Sequence, residues 1–451
     1  MSQPLSSEVH ALFAPGAAAT PAGPSASPWA PPAQRPLAIV GLGYTGLPLA
    51  AAFVSAGRLV LGYDIDRARL AVLRGGQSPL PHLDPTSWSR GPGRAQLCLP
   101  EQLEGLAQAE AVFLCLPTPL GPGDRPDLSA LESAARSLAP RLSPEQLVVL
   151  TSTSFPGTLR QHLAPWLTHN GRRPRLAYSP EREDPGSGRP ARSVPRLVAG
   201  LDPGAREAAA AILRQAIQEV IEVDSPELAE AAKLFENAFR AVNIALANEL
   251  KRIVLPLGLD PHAVIAAAAT KPFGFLPFSP GPGAGGHCIP VDPHYLQHAA
   301  RLAGGESRLI AAALEINRGM PARVLTRLEA ALGARGQGLR GAPILLVGLA
   351  YKPGVADLRE APGLLLLEGL EAAGARVEYH DPFLPQLGAE AGRFAGLSSV
   401  PLESLARFAA VVIVTDHPGI PWNRLWREAR FVVDTRGVLR EHHGDPRYLT
   451  G

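Results

Sequence analysis

The segment Gly285-Gly286-His287-Cys288 sets one thiol behind two glycines, and Asp292 follows four residues later. A thiolate is a strong nucleophile, and glycines let a reacting carbon approach it closely. Cationic neighbours lower a thiol's pKa, and Lys233 is the candidate. Lys233-x-x-x-Asn237 puts a cation and an amide on one helical face, which Arg240 and Asn248 continue. Such a pair suits a developing oxyanion. Cys98 and Cys115 lack this setting, and Cys115 reads as a buried strand residue. His287 and Cys288 have no Cys-x-x-Cys or spaced histidine partner, so no metal is expected.

The chain uses only four lysines (Lys233, Lys251, Lys271, Lys352) and six asparagines, three of them (Asn237, Asn243, Asn248) in one expected helix. Rare residue types that cluster point to chemistry. Gly41-x-Gly43-x-x-Gly46 is a second centre. Its first glycine allows a tight turn, its second a close pyrophosphate, its third helix–strand packing. Phosphates would sit at the helix N-terminus. Asp64, 18 residues past Gly46, ends the next strand and can accept from an adenosine ribose, which favours NAD over NADP. Arg69 faces the adenosine or its 2′-position, or is a solvated helix arginine.

Other groups follow strand-like runs, where open α/β sheets bind ligands. Pro117-Thr118-Pro119 and Ser152-Thr153 are two such turns; either also reads as ordinary. The acidic loop 179–186 is a surface loop, or its carboxylates orient water or a sugar hydroxyl. Tyr351-Lys352 with Asp357 and Arg359 opens a later turn, and Lys352 and Arg359 could hold a second anionic ligand. Arg436 lies at the same edge.

Alternating strands and helices give an α/β fold: two Rossmann-like, doubly wound lobes joined by a long central helix. Residues 36–64 read strand, glycine turn, helix, strand. Further strands are expected at 111–116, 147–150, 176–178 and 196–199, in a parallel sheet. Residues 226–257 read as one helix, with Ser225 as N-cap and Pro226 at its first position. The second block has strands at 343–348, 376–380, 411–415 and 431–434, and a helix at 362–374. Residues 1–36, with eight prolines, read as a flexible extension with a short helix near 9–13. Residues 37–215 form the NAD-binding domain, 216–325 a central helical domain, and 326–451 a second nucleotide lobe.

Composition excludes other classes. Of 451 residues, 46% are hydrophobic and 19% charged, so the chain can build real cores and is not wholly disordered. A formal net charge of +2 gives no footprint for nucleic acid or an anionic membrane. No apolar run is long enough to span a bilayer. Three cysteines, an odd count, fit a reducing cytoplasm, and the first 36 residues lack the pattern of a secretory signal.

From about residue 37 to the end the chain resembles the nucleotide-sugar 6-dehydrogenase (UDP-glucose/GDP-mannose dehydrogenase) family. Gly-Leu-Gly-Tyr-Thr-Gly-Leu-Pro, Ser-Pro-Glu-Arg, Lys-x-x-x-Asn, Gly-Gly-His-Cys and Ala-Tyr-Lys-x-x-x-x-Asp-x-Arg occur in order and spacing. Residues 179–186, 239–246 and 269–278 look most like the N-acetylhexosamine branch, closest to the enzymes acting on UDP-N-acetylglucosamine for surface polysaccharide. The resemblance implies NAD as cofactor and a four-electron oxidation of CH2OH to carboxylate. It implies that Cys288 carries the thiohemiacetal and thioester and that Lys233 and Asn237 hold the oxyanions. Asp292 and Thr153 would hold the catalytic water, and Glu181 would assist hydrolysis. Tyr44 and Thr118 join the cofactor site; Arg182, Phe278 and Gly285 join the substrate site. Tyr351, Lys352 and Arg436 match uridine- and diphosphate-binding positions, and Arg240 would reach the sugar across a dimer interface. An exposed apolar connector helix would be costly, so a homodimer built on the long helix, or a higher homo-oligomer, is expected.

Three positions depart from the family pattern: Thr45 for Val, Val291 for the Lys of UDP-glucose enzymes, and Gly186-Ser187-Gly188 for Gly-Asn. UDP-N-acetylmannosamine, UDP-N-acetylgalactosamine and UDP-glucose stay open as substrates. So do a two-electron β-hydroxyacid dehydrogenase, which needs no Cys288, and a catalytically inactive nucleotide-sugar-binding relative.

Overall fold

The computed structural model describes residues 35–80, 83–90, 93, 96–183 and 191–451. The expected extension, apart from its last two residues, lies outside the described residues, as do 184–190, which include the end of the acidic loop and Gly186-Ser187-Gly188. The first lobe contains β1 (Leu37–Val40), β2 (Val60–Tyr63), β3 (Leu97–Cys98), β4 (Ala111–Leu114), the hairpin β5 (Leu120–Gly121) and β6 (Arg125–Pro126), then β7 (Leu147–Leu150), β8 (Arg175–Tyr178), β9 (Arg196–Gly200) and β10 (Val220–Glu222). Eight of these form one sheet, ordered β10-β9-β8-β7-β4-β1-β2-β3. β1, β4 and β7 are unbroken apolar runs, buried throughout, because helices cover both faces of the sheet. Leu37, Ile39, Phe53 and Phe113 anchor the core on one face; Val40, Leu114, Leu150 and Tyr178 anchor the other.

One step corrects the expected parallel sheet: β9 pairs with β8 antiparallel. The connection at 179–195 is rich in proline and glycine, so its sequence offers no crossover helix, and a returning strand runs antiparallel. The short strands β3 and β10 and the hairpin were not anticipated; two or three residues carry too little pattern.

The second lobe is a five-stranded parallel sheet, ordered β12-β11-β13-β14-β15. Its strands are β11 (Pro343–Val347), β12 (Arg376–His380), β13 (Ala410–Ile413), β14 (Val432–Asp434) and the unanticipated β15 (Tyr448–Thr450). Both lobes repeat one device. Asp64, after β2, accepts the Leu42 N–H at 2.7 Å. Asp381, after β12, accepts those of Leu349 and Ala350 at 2.8 and 3.0 Å. In the second lobe His417 Nε2 sits 3.0 Å from Asp381 Oδ2, and neither side chain has exposed surface. The Gly354 N–H donates to His417 Nδ1, so Nε2 carries the hydrogen facing the acid. The imidazole also stacks on Phe383.

The central helix runs Pro226–Val254, about 40 Å at 1.5 Å per residue. Ser225 Oγ accepts the Leu228 N–H. Pro256 cannot continue the ladder, so the helix passes into a tighter turn, Leu255–Leu257, that ends at left-handed Gly258. The helices Asp292–Leu302 and Arg308–Arg318 pack along it. Its outer face leaves Phe235, Leu246, Ile253 and Leu257 between 59% and 68% exposed.

Candidate active site

Cys288 lies in the turn that opens the helix Asp292–Leu302, where the Asp292 N–H donates to the Cys288 carbonyl at 2.9 Å. Asp292 is fully buried. Its Oδ2 accepts from Asn237 Nδ2 at 2.6 Å, and its Oδ1 has no partner among the described residues. Lys233, one turn before Asn237, is also buried, and no described residue hydrogen-bonds its ammonium. Thr153, half-buried, lies just past β7. Phe155, Leu234, Val291 and Tyr295 form one apolar cluster, which sets the Thr153 turn, the Lys233 helix and the Asp292 turn against one another.

Electrostatics corrects one expectation. Burial pushes the Cys288 thiol up, and the Asp292 carboxylate adds to this; Lys233, Arg240 and Arg359 pull it down without reversing the shift. The resting thiol is therefore protonated at neutral pH and needs a base. Burial also pushes Asp292 up to about 6, against Lys233 and the Asn237 hydrogen bond. A base that titrates near neutrality beside a protonated thiol is a workable pair. Burial pushes His287 down to about 4. No group of three or more His, Cys, Asp or Glu that could hold a metal occurs among the described residues.

The glycines before Cys288 face the second lobe rather than open space. A Cβ on Gly286 (φ +85°) would collide with the Tyr351 ring, and one on Gly285 would press on Tyr351 and the Glu360 carbonyl. The Gly286 N–H donates to the Arg359 carbonyl at 3.0 Å. Arg359 pairs with Asp357 at 2.6 Å, and its guanidinium lies 4.4 Å from the Tyr44 ring centroid. It therefore reaches the first lobe's glycine turn. Lys352 is half-buried beside Tyr351. Arg436 Nε donates to the Val414 carbonyl, and the guanidinium lies against Gly281 of the same catalytic loop.

The glycine turn fits a dinucleotide. A Cβ on Gly41 (φ +91°) would collide with the Cys115 carbonyl and one on Gly46 with Gly41, whereas Gly43 has nothing within 4 Å. That open face is where a pyrophosphate would approach. Arg69 Nη1 lies 2.8 Å from Asp64 Oδ2, so it is no free helix arginine; it covers the carboxylate a ribose would meet. Thr118 is buried, and its carbonyl accepts the Tyr295 hydroxyl at 2.8 Å.

Other expected residues have side-chain partners of their own. Asn248 Oδ1 accepts the Gly281 N–H at 2.9 Å and its Nδ2 donates to Asn317. It braces the catalytic loop and does not continue the Lys233 pair. Arg240 is exposed where Lys233 and Asn237 are buried. Glu181 forms an ion pair with buried Arg196, and its Oε1 accepts the N–H groups of Arg182 and Glu183. Arg182 pairs with Glu236 at 2.7 Å. Phe278 packs edge-on against Phe239. Sequence reasoning missed Glu230, Tyr295 and Arg196. For Glu230 a signal exists, an acid three residues before Lys233; for the other two, whose side-chain polar partners Thr118 and Glu181 are far along the chain, there is none. Burial pushes Glu230 up to about 7, against three hydrogen bonds that favour its charge.

Three models of the UDP-glucose/GDP-mannose dehydrogenase family match in succession: the NAD binding domain at 35–217, the central domain at 227–319 and the UDP binding domain at 345–441. UDP-N-acetyl-D-glucosamine 6-dehydrogenase of Pseudomonas aeruginosa is 34% identical over 84% of this chain and 90% of its own length. NDP-N-acetyl-D-galactosaminuronic acid dehydrogenase of Ralstonia nicotianae is 35% identical over 90% and 96%. The solved UDP-D-ManNAc dehydrogenase of Pyrococcus horikoshii superposes with a TM-score of 0.81 at 31% identity, covering 92% of this chain and 98% of that one. No described helix is long and apolar enough to cross a membrane.

Proposed function

Because the chain belongs to the UDP-glucose/GDP-mannose dehydrogenase family, we propose that its site oxidises the C6 hydroxymethyl of a UDP-N-acetylhexosamine to the uronate, with UDP-N-acetylglucosamine the preferred sugar. The reaction class is NAD-dependent UDP-sugar dehydrogenation. The observation that carries the four-electron reading is the cluster of Cys288, Asp292, Lys233 and Asn237: a nucleophile, a base and two oxyanion donors, set on two packed helices and the turn that opens one of them.

The Gly41–Gly46 turn, with Asp64 and Thr118 beside it, would hold NAD+, which when bound would supply the hydride acceptor. Lys233 and Asn237 hold the C6 oxygen while its proton passes to Asp292 through the water that Asp292 and Thr153 hold. Loss of hydride leaves an aldehyde. Asp292 returns its proton through that water to solvent; Cys288 Sγ then adds to the aldehyde carbon and gives up the thiol proton to the freed carboxylate, which discharges it by the same path, and Lys233 and Asn237 hold the new oxyanion. Loss of a second hydride turns this thiohemiacetal into a thioester. Water then adds to the acyl carbon, Asp292 takes its proton, the C–S bond breaks and the thiol is restored. In sum, alcohol, water and two NAD+ give carboxylate, two NADH and three protons. Glu181, fixed by Arg196, orders the Arg182–Glu183 turn for the hydrolytic step. Tyr351, Lys352, Arg436, Gly285 and Phe278 hold the UDP-sugar, Arg359 joins that site to the cofactor turn, and Arg182 serves the sugar. The uronate serves surface polysaccharide.

The test is NADH formed per sugar consumed, with UDP-N-acetylglucosamine, UDP-N-acetylmannosamine, UDP-N-acetylgalactosamine and UDP-glucose in parallel. Two per sugar, with the first preferred, is expected. Two with another preferred keeps the chemistry and changes the sugar; one removes Cys288 from it.

The exposed stripe Phe235, Leu246, Ile253 and Leu257 supports a homodimer along the long helix, since monomers rarely expose so long an apolar face. Arg240, exposed on this helix, would serve an adjoining copy's sugar site. The double variant Phe235→Glu/Leu246→Glu should shift sedimentation from twice the chain mass toward 47.5 kDa. An unshifted dimer would place the interface elsewhere.

A further inference from the structure

The long helix carries one buried acid that the proposed chemistry does not use. Glu230 has no exposed surface. Its Oε1 accepts from Ser154 Oγ and from the Leu159 N–H, both at 3.0 Å, and its Oε2 accepts the Gly157 N–H at 2.7 Å. All three donors belong to the turn after β7, which also carries Thr153. Gly157 is left-handed and leads into the helical stretch Thr158–Leu163, so the Gly157 and Leu159 amides are groups that a helix start leaves without partners of its own. A buried carboxylate is costly unless its oxygens are hydrogen-bonded. Here one segment fills them all, and that segment belongs to the other lobe's sheet. Glu227, one turn earlier, pairs with the exposed Arg160 of the same helical stretch, a solvent-screened contact outside the turn, whereas Glu230 holds the turn's own buried donors.

We propose that Glu230 is a positioning residue: it locks the 152–159 turn to the Lys233 helix and so fixes Thr153, and the water Thr153 holds, against the carbon bound to Cys288. This rests on the thioester route proposed above. The steps differ in what they ask of that water. A proton relay tolerates a displaced water, whereas attack on the acyl carbon requires near-attack geometry. Loosening the turn therefore slows hydrolysis while both hydride losses continue. The shared packing of Phe155, Leu234, Val291 and Tyr295 keeps the turn in place but does not set its angle, which the carboxylate does.

The experiment compares wild type, Glu230→Gln and Ser154→Ala as full chains, in rapid-mixing runs with NAD+ and the preferred UDP-sugar in excess over enzyme, followed into the steady state. Glutamine cannot accept at the position of Oε2, so the Gly157 N–H loses its acceptor. Expected for Glu230→Gln is a rapid burst of about two NADH per site, then a steady rate about 10- to 100-fold below wild type. KM values should stay within about threefold, and intact mass after acid quench should show the uronyl adduct on Cys288. Ser154→Ala removes one of the three donors and should show the adduct with a smaller rate loss. If Glu230→Gln fails to fold by its melting curve, Ser154→Ala decides. Parallel slowing of all steps without adduct, or wild-type rates in a folded variant, overturns the proposal. Wild-type stoichiometry keeps the two ideas apart: one NADH per sugar sinks the thioester route, and two, with no adduct in either variant, sinks only the brace.

Discussion

Cys288→Ala should form no sustained uronate, with kcat reduced about 10³-fold or more, as loss of a covalent nucleophile does elsewhere. Binding of NAD+ and of the UDP-sugar, followed by calorimetry, should stay within about threefold of wild type. The reason is geometric. The Cys288 side chain packs into neither lobe's core, and the turn around it is held by backbone bonds, Asp292 N–H to the Cys288 carbonyl and Gly286 N–H to the Arg359 carbonyl, which alanine leaves intact. What goes is the one atom that can hold the aldehyde carbon and later leave it. The other two cysteines offer no substitute: burial pushes Cys115 up to about 12, and Cys98 is exposed in β3, away from the site. Undiminished uronate turnover by this variant would sink the mechanism.

Asp292→Asn is the second large effect, a loss of about 10²- to 10⁴-fold in kcat. Asparagine matches the carboxylate in shape and still offers an oxygen to Asn237 Nδ2, so the loss reports the charge and not the packing. The pH dependence follows in sign. The carboxyl titrates near 6 because burial raises it. A base works only when deprotonated, so wild-type activity falls as pH drops through about 6. That limb should vanish in the variant. A third reading is independent of turnover. The Asp292 charge helps hold the thiol proton on, so the variant's Cys288 should alkylate with iodoacetamide at lower pH than the wild-type thiol. An acidic limb unchanged in Asp292→Asn would assign it to another group.

Much of this site is readable from the chain because its parts are local. Lys233 and Asn237 are one turn apart on a helix, whose geometry fixes the pair, and Cys288 is four residues before Asp292 in the turn that opens a second helix. The same holds for the Gly41–Gly46 turn and the acid at the end of the next strand. The lobes are legible because buried parallel strands are unbroken apolar runs. What sequence spacing does not carry is contact across the chain. Arg359 lies against Tyr44, and Gly286 against Tyr351, over intervals of many elements. The sign of the Cys288 shift escapes for the same reason: Lys233 is visible as a neighbour, but the burial that outweighs it is a property of the assembled fold. Asn248 misleads because a rare residue on a helix can brace a loop as readily as it can meet a substrate.

The repeated acid at the end of each lobe's second strand has a kinetic consequence. Asp64 is covered by Arg69, a long side chain one-third exposed, which can swing aside for a ribose. Asp381 is covered by His417, which has no exposed surface and is wedged on Phe383. Two lobes of one design thus provide a single seat for the dinucleotide. On the four-electron route two cofactor molecules must occupy that seat in turn, with an exchange in the middle of each catalytic cycle. A free aldehyde at that stage could escape or hydrate. The bond to Cys288 then acts as a tether that keeps the half-oxidised sugar at its post while the cofactor changes over.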